Sequence, residues 1–229
     1  MKNKLFTALY CICFVLFMLT FAIGLPIYCR FLYYIQIKTL GLEQATGWSY
    51  GMIKQAYDEV LNFCTLPWVN EFSAGQLKFS ESGASHFADC KVLFNLNLGV
   101  LLSSGAVLLA LIILQRFKKL EILSFGRHKA YFWSVIIAVA LPVLLIIIIA
   151  IAGFDNSFQA FHAIFFPGKD NWVFSASKDE IIRVMPQQFF MNCAIIISVG
   201  LIAFASALIA ADLIIKYKAK GNGGVEEAK

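Results

Sequence analysis

The chain has 229 residues, 60% of them hydrophobic and only 14% charged, with a formal net charge of +5. That balance excludes a soluble globular domain and fits an integral membrane protein. The positive charge requires no nucleic-acid partner, because the Lys and Arg residues flank apolar stretches in the manner of an orientation signal.

About 20 apolar residues span a hydrocarbon core of about 30 Å, and four stretches qualify, at about 5–28, 92–114, 131–154 and 191–215. Helices are the expected form, since lipid-exposed backbone must satisfy its hydrogen bonds internally. The first stretch follows Met1-Lys2-Asn3-Lys4, a start that resembles a signal peptide. It is longer than a signal core, so it reads as a retained anchor.

In segment 29–91, Met52, Ile53, Ala56, Tyr57, Val60, Leu61 and Cys64 recur at helical spacing, after a candidate N-cap at Ser49 and before Pro67. An amphipathic helix is expected there, followed by a strand-like run at Gln76–Ser80. Asn95 and Asn97 in the second span are expected to hydrogen-bond between helices. The connection 115–130 is short, which predicts that spans two and three pack as antiparallel neighbours. In segment 155–190, Pro167-Gly168-Lys169-Asp170-Asn171 reads as a turn and Trp172–Ser175 as strand-like. Asp179 is expected to cap a short helix that Pro186 ends.

Together these elements predict an all-α integral membrane protein, a four-transmembrane-helix bundle with a small mixed extracytoplasmic cap, in one domain over 1–229. Lys2, Lys4, Arg116, Lys118, Lys119, Arg127, Lys129, Lys216, Lys218 and Lys220 all fall on one side. That side is assigned to the cytoplasm with both termini, loop 115–130 and tail 216–229. Segments 29–91 and 155–190 are then outside. Cys11, Cys13 and Cys193 read as packing residues, while Cys29, Cys64 and Cys90 lie outside, where disulfides can form. A Cys64–Cys90 bridge stays open, as three cysteines cannot pair evenly.

Three histidines are present, and His86 and His162 fall at the outer mouths of two spans while His128 lies opposite. Asp89 is one helical turn from His86 and could orient its ring; the alternative is a solvated pair at a helix start. Lys91 reads as a headgroup anchor. Phe161, Phe165, Phe166, Trp172 and Phe174 form an interfacial aromatic band, serving as anchors and pocket wall. The outer segments hold no GxSxG nucleophile elbow. Zinc held by His86, His162 and Asp89 is an open alternative, without an HExxH motif to support it.

The runs Ser80-Glu81-Ser82-Gly83, His86-Phe87-Ala88-Asp89-Cys90-Lys91, Phe161-His162-Ala163-Ile164-Phe165-Phe166, Asn171-Trp172-Val173-Phe174 and Asp179-Glu180-Ile181-Ile182, on to Pro186 and Phe189-Phe190, carry a family likeness. They resemble the lipoprotein intramolecular transacylases of low-GC Gram-positive bacteria, which are four-span membrane proteins. Thr46-Gly47-Trp48-Ser49 and Tyr57 fit that family's first loop, and Cys90 departs from its aspartate-valine-lysine pattern. The resemblance implies an acyltransferase acting on diacylglyceryl-modified lipoproteins in membrane lipid, with no cofactor and no metal. It would move the sn-2 acyl chain of the N-terminal cysteine's diacylglyceryl group onto that cysteine's own α-amino group, leaving a lyso-form lipoprotein. One of His86 and His162 would deprotonate the amine and the other would donate to the oxyanion or leaving oxygen, with Asp89, Lys91 and Tyr57 in support. The rival readings are a non-catalytic four-span scaffold or partner subunit, and a metal-dependent membrane hydrolase.

Overall fold

A computed structural model describes residues 2–118, 120–126 and 128–226. Lys119 and Arg127 of the charge pattern, and the last three residues of the tail, lie outside the described residues. In chain order the elements are α1 (Lys2–Tyr28), α2 (Phe31–Thr39), α3 (Leu42–Thr46), α4 (Tyr50–Thr65), α5 (Glu81–Lys118), β1 (Ser124–Phe125), β2 (His128–Lys129), α6 (Ala130–Ala152), α7 (Phe154–Phe165), α8 (Ile181–Val184) and α9 (Gln187–Glu226). Helices α1, α5, α6 and α9 are long and apolar enough to cross a membrane.

Helix α1 is the centre of the bundle and packs against α5, α6 and α9. Small residues let these backbones approach. A Cβ on Gly200 of α9 would come within 2.8 Å of Leu25 on α1, and one on Gly105 of α5 within 3.2 Å of Phe17. Polar groups tie the same seam: Asn97 Nδ2 donates to the Thr20 carbonyl at 3.2 Å, and the Tyr28 hydroxyl to the Phe94 carbonyl at 2.9 Å. Asn95 reaches the Cys64 carbonyl of α4 at 3.4 Å, so both asparagines link helices as expected.

The expected packing of spans two and three does not occur. Among the described residues α5 and α6 share no packed face, because α1 lies between them and α6 turns its small residues Ala138 and Val135 to the α1–α9 side. The connection instead closes as a short hairpin, with Ser124 opposite Lys129 and Phe125 opposite His128.

The cap is helical rather than mixed, and Gln76–Ser80 and Trp172–Ser175 are irregular. Among the described residues those runs have no neighbouring strand to bond to. Helix α4 forms as its periodicity predicts. The Ser49 Oγ accepts the Met52 N–H at 3.3 Å as N-cap. Leu66, which precedes Pro67, is extended and ends the helix. The inner face of α4 buries Ile53, Ala56, Tyr57, Val60, Leu61 and Cys64 against Tyr33, Ile37, Leu77, Ile181, Val184 and Phe189.

Asp179 does not cap α8, whose N-cap is Glu180. Its carboxylate accepts the Ser80 N–H at 2.8 Å and the Ser80 hydroxyl at 2.7 Å. Ser80 in turn caps α5 by accepting the Gly83 N–H at 3.0 Å. Helix α5 therefore begins 11 residues before its apolar run. Its 38 residues extend about 57 Å at 1.5 Å each, far more than the bilayer core. The first turns of α5 carry His86, Asp89 and Lys91 ahead of the apolar run that begins at Val92.

Candidate active site

His162 reaches the site through a break in the chain. Gly153, at φ 80°, ends α6 and redirects the backbone into the amphipathic α7. His162 is the buried residue of that helix, whereas Phe161, Ile164 and Phe165 are exposed. The loop after α7 turns at Gly168, φ 73°, and lays Trp172 flat on the His162 ring at 4.6 Å. The two imidazoles then face each other at 5.7 Å between ring centres. The two histidines meet without the expected packing of spans two and three, because α7 turns back from the end of α6 and carries His162 to His86.

Both histidines are only 6% exposed, so the pair is buried rather than set at the water boundary. Phe166 stands edge-on to His86 at 4.9 Å and Phe174 at 5.5 Å. They line a cavity of about 310 Å³ whose wall is almost entirely apolar. Of the expected wall residues, Phe161, Phe166, Trp172 and Phe174 line it, and so does Tyr57, stacked on Tyr33 at 3.6 Å. Phe165 does not; it leans on Phe161 at 4.6 Å with half its surface outside. Phe158, Cys90, Met185, Phe189 and Phe190 also line the cavity. Of these, Phe158 and Cys90 are four residues from a histidine, the helical spacing that could have flagged them.

The supporting residues expected from sequence are placed differently. Asp89 makes no hydrogen bond to His86; it pairs with Lys169 Nζ at 2.5 Å and accepts Asn171 Nδ2–H at 3.0 Å. Lys169 and Asn171 lie about 80 residues downstream, beyond the reach of helical spacing. Burial acts to raise the Asp89 carboxyl, but Lys169 and Asn171 outweigh it and hold the group below the usual range. Lys91 points away, donating to the Val69 carbonyl at 2.5 Å over the Phe63 ring.

Burial in apolar surroundings disfavours the charged imidazole. It pulls His86 down to about 4, with His162 adding to the effect. Burial also lowers His162, against the opposing pull of the Phe158 carbonyl. Each neutral ring has its tautomer marked by a contact. His162 Nδ1 lies 2.8 Å from the Phe158 carbonyl, which can only accept, so Nδ1 carries the proton and Nε2 the free lone pair. His86 Nε2 lies 3.5 Å from Cys90 Sγ. Burial pushes that thiol up to about 12, so it stays protonated and can donate to Nε2. With the thiol as donor the His86 proton is on Nδ1, a buried atom beside the Asn171 side chain.

All six cysteines are free thiols, Cys64 and Cys90 included. Among the described residues no three His, Cys, Asp or Glu side chains group as a metal site.

A family model described as lipoprotein intramolecular transacylase Lit matches residues 8–190. Among solved structures, the membrane integral lipoprotein intramolecular transacylase Lit from Bacillus cereus is 23% identical at TM-score 0.84, over 96% of this chain and 98% of that one. Two further structures of the Bacillus cereus protein, with one histidine replaced by arginine or by alanine, match at TM-score 0.77. They are also 23% identical, over 96% of this chain and 95% and 96% of theirs. No curated protein matches. At that identity the structures establish the shared fold, and the family match, which spans most of the chain, establishes that it belongs to the Lit family of lipoprotein intramolecular transacylases.

Proposed function

We propose that the protein moves the sn-2 acyl chain of an S-diacylglyceryl N-terminal cysteine onto that cysteine's α-amino group, giving a lyso-form lipoprotein. Family membership supports the reaction class. The observation that carries the mechanism is the pair of complementary imidazoles in a dry cavity: an acceptor at His162 Nε2 and a donor at His86 Nδ1.

The substrate supplies both nucleophile and ester. A well-oriented intramolecular attack can remove about 7–11 kcal/mol of barrier. The protein then has to manage protons and the oxyanion. His162 Nε2 takes a proton from the amine as its nitrogen bonds to the ester carbonyl carbon. His86 Nδ1–H donates to the oxygen on which negative charge develops. The tetrahedral species collapses with cleavage of the carbonyl–glycerol oxygen bond, and His162 returns its proton to that oxygen. A thioester on Cys90 is disfavoured, since burial keeps its thiol protonated. The pocket's apolar wall receives the acyl chain.

The charge pattern supports a site at the extracytoplasmic face with both termini in the cytoplasm. Within the fold, Thr7 of α1 accepts the Leu123 N–H, which holds the N-terminal end and the hairpin at the end of the bundle opposite the cavity. Membrane lipid surrounds the bundle and lipoproteins enter as substrates.

The test is mass spectrometry of one lipoprotein's N-terminal peptide from a host lacking the activity, with and without this protein. Wild type yields the lyso form; His162→Ala and His86→Ala lower conversion by at least about 100-fold, the usual scale for a lost base or oxyanion donor. Wild-type conversion by both variants overturns the mechanism.

A further inference from the structure

Asp89 makes no hydrogen bond to His86, although it stands one helical turn away on α5. Asn171 lies between them. Its Nδ2 is 3.0 Å from Asp89 Oδ2 and 3.4 Å from the Ser85 hydroxyl, so the amide is laid along the turn that carries His86. Lys169 holds the other Asp89 oxygen and fastens the same loop to α5.

The Asp89 carboxylate is held ionised and only accepts, so the Asn171 atom beside it is the NH2 and the remaining atom is the carbonyl oxygen. That oxygen is buried, as is His86 Nδ1, and neither has another hydrogen-bond partner among the described residues. The ring and the amide bond to each other. An amide oxygen cannot donate, which puts the imidazole proton on Nδ1. Cys90, at the other ring nitrogen, does not decide the tautomer by itself, because a thiol can donate to Nε2 or accept from it.

We propose that Asn171 is the positioning residue of His86: the Asp89 carboxylate fixes the amide, and the amide oxygen fixes the imidazole as its Nδ1–H tautomer. Asp89 thus orients the ring at one remove, through a loop that joins it from the other side of the site. The purpose of the device rests on the transacylase reading, in which Nδ1–H is the group offered to the ester oxygen. An oxyanion is a stronger acceptor than a neutral amide. The hydrogen bond that Asn171 accepts before substrate binds is therefore taken over by the reacting oxygen as charge develops on it, with no change of tautomer.

The test reads the ring itself. The protein is prepared with histidine carrying the NMR-active nitrogen isotope and studied in detergent at neutral pH without substrate, with His86→Leu identifying the His86 signals. Burial keeps the ring uncharged there, so the spectrum reports the tautomer. Wild type is expected to show Nδ1 protonated and Nε2 bare. Asn171→Leu raises the ratio of Nε2–H to Nδ1–H by about fivefold or more, the scale of one lost hydrogen bond. Asp89→Asn frees the amide to turn its NH2 to the ring and moves the ratio the same way, which keeps the question decidable should Asn171→Leu fail to fold. Lys169→Met loosens the loop but leaves the amide, and keeps the wild-type ratio. A wild-type ring protonated on Nε2 overturns the proposal, as does an unchanged ratio in Asn171→Leu or Asp89→Asn. A shift in Lys169→Met as large as in Asn171→Leu also counts against it, because Asn171 then only helps to hold the loop. A protein that shows the expected tautomers but does not convert a diacyl lipopeptide keeps the positioning role and sinks the transacylase reading instead.

Discussion

His86 and His162 are buried and neutral, and burial is what lowers them. The consequence for stability has a definite sign. The unfolded chain binds protons at its histidines near pH 6.5, whereas folded His86 resists until about 4. Stability is thus full above about pH 6.5 and falls as the pH drops toward 4. Thermal melts of the detergent-solubilised protein across that range should show a declining midpoint, and His86→Leu should flatten the slope. An equal slope in the variant would place the acid sensitivity elsewhere. At this scale the sequence singled out the two histidines that the fold brings together, because three histidines in a chain of four spans leave few positions to choose from. It misassigned the partner of Asp89, as spacing along a helix sees only neighbours one turn away.

Among the elements, the start of α5 depends on contacts distant in sequence. The Asp179 carboxylate holds Ser80, and Ser80 caps the helix that presents His86. A Cβ on Gly83 would overlap that carboxylate. Gly83→Ala and Asp179→Ala should each destabilise the fold by about 0.5–2 kcal/mol, the range for a lost cap, seen as a lowered melting midpoint. Unchanged melting in both would mean that Ser80 caps the helix unaided. The Ser80–Gly83 run carried part of the family likeness, yet only the fold reveals why glycine stands there. Helix α4 was fully readable from its cap and apolar stripe. The strand-like runs were not, since alternation over four or five residues does not supply a partner strand.

For the molecule as a whole, hydropathy located all four spans, because lipid imposes a length and a composition that sequence displays directly. The order of packing around α1 was hidden, as every span is apolar and none announces its neighbour. Orientation rests on the flanking cations and can be measured through Cys29, the exposed thiol just beyond Tyr28. A membrane-impermeant maleimide should label Cys29 in intact cells, and Cys29→Ser should lose most of that label. Labelling only after permeabilisation would invert the proposed topology.

The dryness of the cavity acts on a visitor as it acts on its own side chains. An α-amino group titrates near 7.7–8.0 in water and is largely charged at neutral pH. Moved beside Phe166, Trp172 and Phe174, it faces the same penalty on charge that keeps the imidazoles neutral. In the proposed reaction the wall that receives the fatty chain therefore also drives the ammonium to shed its proton, and so prepares the nucleophile before any base has touched it.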